Sequence, residues 1–366
     1  MTDREPSISS VEARAYTVPT DRPEADGTLV WDATTMVAVE VRAAGEVGTG
    51  WTYAPAAAAR VVADLLAPVL VGHRSPLAPA DAQAALVRAV RNAGRGGLVG
   101  MAISAVDIAV WDLGARLLGV PLTRWFGSAA RPVPVYGSGG FTTYDDDQLA
   151  MELEGWVTRG LRAVKIKIGE SWGTRGDRDL HRVELARSVV GDDVGLFIDA
   201  NGAYDLGRAR RVGRRLDELG VRWFEEPVSS EDLRGLALLR DTLDLDVAAG
   251  EYAHDLAYAQ RMAPVVDCLQ VDVTRCGGYT EWRRIAAAAA ALGVDVSAHC
   301  APYLTAPVAA ATPGLRHLEW FHDHVRIVRE LVDGYAAPID GALRPADVPG
   351  HGLRLRGERA AKYRVG

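Results

Sequence analysis

Gly195-Leu-Phe-Ile-Asp199, Val221-Arg-Trp-Phe-Glu225 and Val247-Ala-Ala-Gly-Glu251 repeat one pattern, a short apolar run closed by a carboxylate, with 26 residues from each carboxylate to the next. Runs of this length suit buried strands, and the amphipathic stretches between them make the period one βα unit. Working outward, the pattern extends to Val133–Ser138 and Ala163–Lys167 on one side and to Cys268–Asp272, Val294–His299 and Leu315–Glu319 on the other. Eight such strands alternating with helices predict an α/β fold, a closed (β/α)8 TIM barrel over residues 131–345. Seven of the eight end on an ionisable residue: Lys167, Asp199, Glu225, Glu251, Asp272, His299 and Glu319. Strand C-termini meet at one rim of a barrel, where active sites are built, so these endings read as chemistry.

Residues 1–130 are patterned differently. Ser7 to Ala43 alternates apolar and polar residues, as in Met36-Val-Ala-Val-Glu-Val-Arg42, which predicts antiparallel strands with one wet face. Residues 55–69 and 80–93 and Met101 to Leu118 then follow helical spacing, giving a smaller α+β domain. The tail, residues 346–366, alternates again and is expected to return to that domain. With 41 Lys+Arg against 48 Asp+Glu, the net charge of -7 leaves no electrostatic footprint for nucleic acid or an anionic membrane. The longest apolar run, Ile285 to Val294, is about half a membrane span. Cys268, Cys276 and Cys300 form no C-x-x-C pair, which fits a reducing cytoplasm. The expected partner is a small molecule.

Asp199, Glu225 and Glu251 on one rim would repel strongly unless a cation sat among them. A hard ion bound by oxygen alone, Mg²⁺, suits this set, and the absence of Cys or His disfavours zinc. Glu226 adjoins Glu225 and should point to the other side of its strand. Equal spacing to Asp199 and Glu251 selects Glu225 as the ligand.

In Val164-Lys-Ile-Lys-Ile168 the two lysines are two residues apart and share a strand face. Side by side they disfavour double protonation, so one amine is expected to fall in pKa and act as a base. Asp272 and His299 end neighbouring strands, and a carboxylate beside an imidazole orients the ring and raises its basicity. Lysine on the second strand and histidine on the seventh place one base on each face of a substrate. Glu319, if its pKa is raised, would hydrogen-bond a substrate carboxylate oxygen. Such a site suits removal of a proton next to a carboxylate, which needs strong charge neutralisation. From the enediolate, reprotonation on the opposite face racemises, and loss of a β-hydroxyl dehydrates. A silent ligand-binding barrel is disfavoured because no ligand or base is missing. A hydrolytic metal barrel is disfavoured because it has no use for the lysine pair opposite a His-Asp dyad.

At these residues the chain resembles the enolase superfamily and, within it, the mandelate racemase subgroup, over essentially its whole length. The resemblance implies an α+β capping domain over a modified barrel, one Mg²⁺ on Asp199, Glu225 and Glu251, and Lys165, Lys167, Asp272, His299 and Glu319 as the catalytic set. The muconate lactonising subgroup carries a lysine where this chain has Asp272, so it is disfavoured. Most activities with this constellation are dehydrations of acid sugars, aldonates or aldarates, to 2-keto-3-deoxy acids; racemisation or epimerisation of an α-substituted carboxylate is the alternative. The resemblance further implies a homo-oligomer and substrate choice by capping loops, here Thr17 to Trp31 and Gly50 to Pro55, with Trp51 and Tyr53 as lid residues. Asn201, two residues past Asp199, is expected to touch the substrate. Phe321-His-Asp-His324 is expected to be a polar loop rather than a second metal site.

Overall fold

The computed structural model describes residues 5–366. Strands β1 (Ser10–Ala25), β2 (Val30–Ala43) and β3 (Glu46–Tyr53) form an antiparallel sheet, and Arg364–Val365 adds to its outer edge by pairing with Ala15 and Tyr16 of β1. Helix Pro79–Ala89 packs against a second helix, Leu98–Leu117, which lies on this sheet. The second lies so close that a Cβ on Gly48 or Gly50 would meet the carbonyl oxygens of Ala109 or Ala105 at 2.2 and 2.3 Å, so glycine is required there. Leu98–Leu117 is apolar and long enough to cross a membrane by composition, yet 83% of its window is buried in the protein. It is a core helix that reading by unbroken apolar runs passes over.

The barrel follows as β4 (Val133–Gly139), β5 (Ala163–Lys167), β6 (Gly195–Asp199), β7 (Trp223–Glu225), β8 (Asp246–Ala249), β9 (Cys268–Val271), β10 (Asp295–Ala298) and β11 (Leu318–Phe321). All are parallel to their neighbours in chain order, and β11 pairs back onto β4. Between β10 and β11 the ring closes through Ala298 N–H to the His317 carbonyl (3.1 Å) and Arg316 N–H to the Val296 carbonyl (2.9 Å). A short antiparallel strand, Ala342–Leu343, covers the lower part of β4. All eight sequence-derived strands are present. Glu251, Asp272 and His299 sit just past their strands, and Glu319 lies within β11.

Register carries the site. Lys167 lies level with Asp199, and Asp199 with Glu225. Two residues earlier on the same face, Phe197 and Trp223 stack at 5.5 Å, and Tyr136 and His317 pack edge-on against them. An aromatic floor therefore closes the barrel directly beneath the charged level.

Candidate active site

The structure brings the carboxylate triad together: ligand oxygens of Asp199, Glu225 and Glu251 all lie within 4.8 Å of one another. Glu225 Oε2 accepts from Lys165 Nζ (2.6 Å), Trp223 Nε1 (3.0 Å) and Gln270 Nε2 (3.0 Å), while its Oε1 is buried without a partner. Glu251 repeats this, with Oε1 on Arg275 (2.9 Å) and Oε2 making no hydrogen bond. Burial and Asp199 push the Glu225 carboxyl up to about 8, since two close carboxylates resist sharing a dry site. Burial pushes Glu251 up as well, but His299 and Arg275 outweigh it and hold this carboxyl at about 2. Carboxylates converging from three strands, two of them with a buried unpartnered oxygen and with no sulfur or nitrogen among them, fit a hard divalent cation. Glu226 stands outside the triad; its backbone turns left-handed (φ 38°), and burial with Glu251 pushes its carboxyl well up.

The lysine pair departs from expectation. Neither amine falls in pKa. Burial favours the neutral form of Lys165, but Glu225 and Glu319 (2.8 Å) outweigh it and hold this ammonium well above its ordinary value. Lys167 is likewise raised, because Asp199, which takes its proton-bearing nitrogen in an ion pair, overcomes burial. The nearest neighbours of each lysine are carboxylates rather than the other lysine. Glu319 is corrected in the same sense. Burial would raise it, yet Lys165 and His299 hold it well below the usual carboxylate range. It accepts from Ser138 Oγ (2.6 Å), Lys165 and the Cys300 N–H (2.7 Å), and so is an acceptor rather than a donor.

Asp272 and His299 form the expected dyad, Oδ2 to Nδ1 at 2.8 Å, with the other Asp272 oxygen fixed by the Thr274 N–H (2.6 Å) and hydroxyl (2.7 Å). Burial would lower the His299 pKa; Glu251 and Asp272 outweigh it and raise it. His299 Nε2 lies 3.3 Å from Glu251 Oε2 and 3.3 Å from Cys300 Sγ. His299, Cys300 and Glu319 also converge, but burial pushes the thiol well up and Glu319 is already committed, so this group is a poor metal site.

Above the triad opens a cavity of about 550 Å³ lined by Lys167, Asn201, Glu251, His299 and Glu319. Its roof comes from the first domain. The turn between β1 and β2 is strapped to the barrel rim by Thr142 N–H to Ala25 O (2.8 Å), Thr142 Oγ1 to Asp26 O (2.8 Å) and Trp172 N–H to Gly27 O (2.9 Å). A Cβ on Gly27 would meet the Ile168 and Ala200 carbonyl oxygens at 2.7 and 2.9 Å, so only glycine permits this approach. Tyr53 and Asn201 line the cavity. Trp51 does not; two residues further back along the same face of β3 than Tyr53, which stands at the strand end, it is 1% exposed and packs edge-on to His351. The expected polar loop at 321–324 is instead the end of β11, at Phe321, and the start of helix His322–Leu331. There His324 stacks on Tyr53 (3.4 Å between centroids), while His322 faces Glu152 (3.3 Å). Sequence reasoning did not single out Thr34, and it held Gly27 and Trp31 only within the loop Thr17 to Trp31 and Asp323 only within the cluster 321–324, because none of these closes a barrel strand; Arg275 was not foreseen as a partner of Glu251.

Residues 11–127 match the model of the mandelate racemase / muconate lactonizing enzyme N-terminal domain, and residues 148–360 match the enolase C-terminal domain-like model. The chain belongs to the mandelate racemase / muconate lactonizing enzyme family. Among its relatives is a 3,6-anhydro-α-L-galactonate cycloisomerase of Streptomyces coelicolor, 34% identical over 75% of this chain and 75% of that one. Another is the L-talarate/galactarate dehydratase of Salmonella typhimurium, 31% identical over 68% of this chain and 63% of that one. A solved racemase from Streptomyces coelicolor with bound magnesium superposes with a TM-score of 0.92 at 30% identity, covering 98% of this chain and 100% of that one. The family thus includes acid-sugar dehydratases and cycloisomerases built on this fold.

Proposed function

We propose that the protein is a magnesium-dependent enzyme that removes the proton next to a carboxylate and dehydrates an acid sugar, an aldonate or aldarate, to a 2-keto-3-deoxy acid. The observation that carries this is one cavity faced by Lys167 and by the Asp272-supported His299, above three converging carboxylates. Asp199, Glu225 and Glu251 would hold the ion, which when bound would supply Lewis-acid neutralisation of the second negative charge placed on the substrate carboxylate. Lys167 or His299, according to substrate configuration, takes the α-proton, and the C–H electron pair enters the enediolate. The other base, protonated, gives its proton to the β-hydroxyl as that C–O bond breaks, releasing water and an enol that tautomerises to the 2-keto acid. Asp272 keeps the His299 ring oriented, and Lys165, held by Glu225 and Glu319, adds fixed positive charge beneath the enediolate. The dry aromatic floor keeps these interactions from being screened.

A second reading, racemisation or epimerisation, is favoured by the presence of both bases, since a proton returned from the opposite face inverts the carbon. Incubating a panel of aldonates and aldarates with Mg²⁺ in D₂O separates the readings. A 2-keto-3-deoxy product supports the dehydratase, and α-proton exchange without that product supports the isomerase. No exchange with any acid refutes enediolate chemistry. Lys167→Ala and His299→Asn should each lower kcat by about 10²–10⁴-fold; unchanged turnover in both defeats the two-base mechanism.

A further inference from the structure

The ring of charges at the barrel mouth fixes one end of the substrate, so the remainder must reach the part of the cavity walled by Leu29, Trp31, Thr34, Tyr53, Asp323 and His324. Two side chains lining the cavity carry a fixed positive charge, Lys167 and Arg275. Both are committed to the reacting end: Lys167 to Asp199, and Arg275 to Glu251 (2.9 Å) and Asp272 (3.4 Å). On the roof side the charged groups are acidic, Asp26 and Asp323. Arg326, behind Asp323, is spent on that carboxylate and on the Pro19 carbonyl. Two side chains that line this space, Tyr53 and His324, each carry a buried polar atom without a hydrogen-bond partner, Oη and Nδ1, and are only 8% and 6% exposed. Their rings are stacked, so each holds the other in place.

We infer that this cavity selects a monocarboxylate with an uncharged, hydroxylated tail over a dicarboxylate, and that Tyr53 Oη and His324 Nδ1 are the groups that recognise the tail; this rests on the acid-sugar reading above. A second carboxylate entering here would lose its water, face two acids and meet no free cation among the described residues. A hydroxyl has the opposite properties. It donates and accepts at once, so it satisfies either orphaned atom whichever way their protons lie. The imidazole is itself neutral, since burial drives His324 down to about 4, and it offers a distal carboxylate no charge.

The test uses aldonate and aldarate pairs matched in chain length and configuration. For each, kcat/KM is measured on the wild-type enzyme with Mg²⁺, and the dissociation constant on the Lys167→Ala protein, which reports binding without turnover. The aldonate should be favoured at least about tenfold in both measures. Tyr53→Phe, which keeps the stacked ring and removes only the hydroxyl, should raise KM for the aldonate several-fold with kcat nearly unchanged and shrink the preference. Equal or better use and binding of the aldarate overturns the inference while leaving the dehydratase reading standing. A preference unmoved by Tyr53→Phe removes Tyr53 from the recognition set and overturns that part. If no member of any pair is converted or bound, the acid-sugar reading itself falls and takes this inference with it.

Discussion

The barrel interior holds two levels, two residues apart on the same strands, with opposite characters. Phe197, Trp223 and His317 belong to the floor, and Asp199, Glu225 and Glu319, each two residues further along, belong to the mouth. The floor packs ring on ring and is tied upward by two hydrogen bonds: Trp223 Nε1 donates to Glu225, and Tyr136 Oη accepts from the Lys165 ammonium (3.4 Å). The mouth is a set of buried charges satisfied largely by one another, an arrangement that packs no apolar surface and contributes little net stability. One inward face thus carries two duties. The floor supplies cohesion and a water-free base, and the mouth uses that base to make its charges felt.

The most forceful way to break this division is Trp223→Ala. Removing the ring should cost about 3–5 kcal/mol of unfolding free energy, read as a fall in the urea midpoint. A loss of activity without loss of stability would mean that the floor is not structural. Next in size is Glu225→Gln, which preserves volume and removes one charge from the triad. Magnesium, titrated by its effect on activity and on the thermal midpoint, should bind weaker by roughly 100-fold. Because Glu319 stays beside Lys165 and Gln can keep the bonds from Trp223 and Gln270, stability in the absence of magnesium should fall less than in Trp223→Ala, and an equal or larger loss would show the mouth holding the barrel together. The smallest effect concerns His317. Burial, helped by Arg316 and Lys165, lowers its pKa from 6.5 to about 3, so folding favours the neutral ring. Its contribution to stability is whole above 6.5 and drains as pH falls from there toward 3. Because His317 as a residue is only partly buried, water screens some of this penalty. His317→Asn should flatten the acid limb of a stability-against-pH curve; parallel curves would show that the floor excludes charge less strictly than its packing implies.

The mouth was legible in the sequence because each of its residues closes an apolar run, and the βα period gives those endings a shared address. The floor was hidden in the same runs: Phe197 and Trp223 look like any strand apolar residue, and only register shows that they stack on one another. Charge states were misread for a related reason. Lys165 and Lys167 are neighbours in sequence, but Glu225, Glu319 and Asp199 come from other strands and decide the lysines' protons. Trp51 and Tyr53 share one face of β3, yet the cavity receives only the second, at the strand end. Gly27 could be recognised only once two barrel carbonyls were seen pressed against it. The Tyr53–His324 stack joins residues 271 positions apart, beyond any local pattern.

The pairing of Arg364–Val365 with Ala15 and Tyr16 has a consequence for anyone recombining this molecule. The sheet that carries the cavity roof borrows its outer strand from the chain that follows the barrel, so residues 10–53 cut out as a module would expose the bare edge of β1, an invitation to aggregate. New specificities are better grafted at the turn between β1 and β2, which touches the rim through a few hydrogen bonds, than by exchanging whole domains between relatives. The roof and the barrel are stitched at both ends, and they travel together.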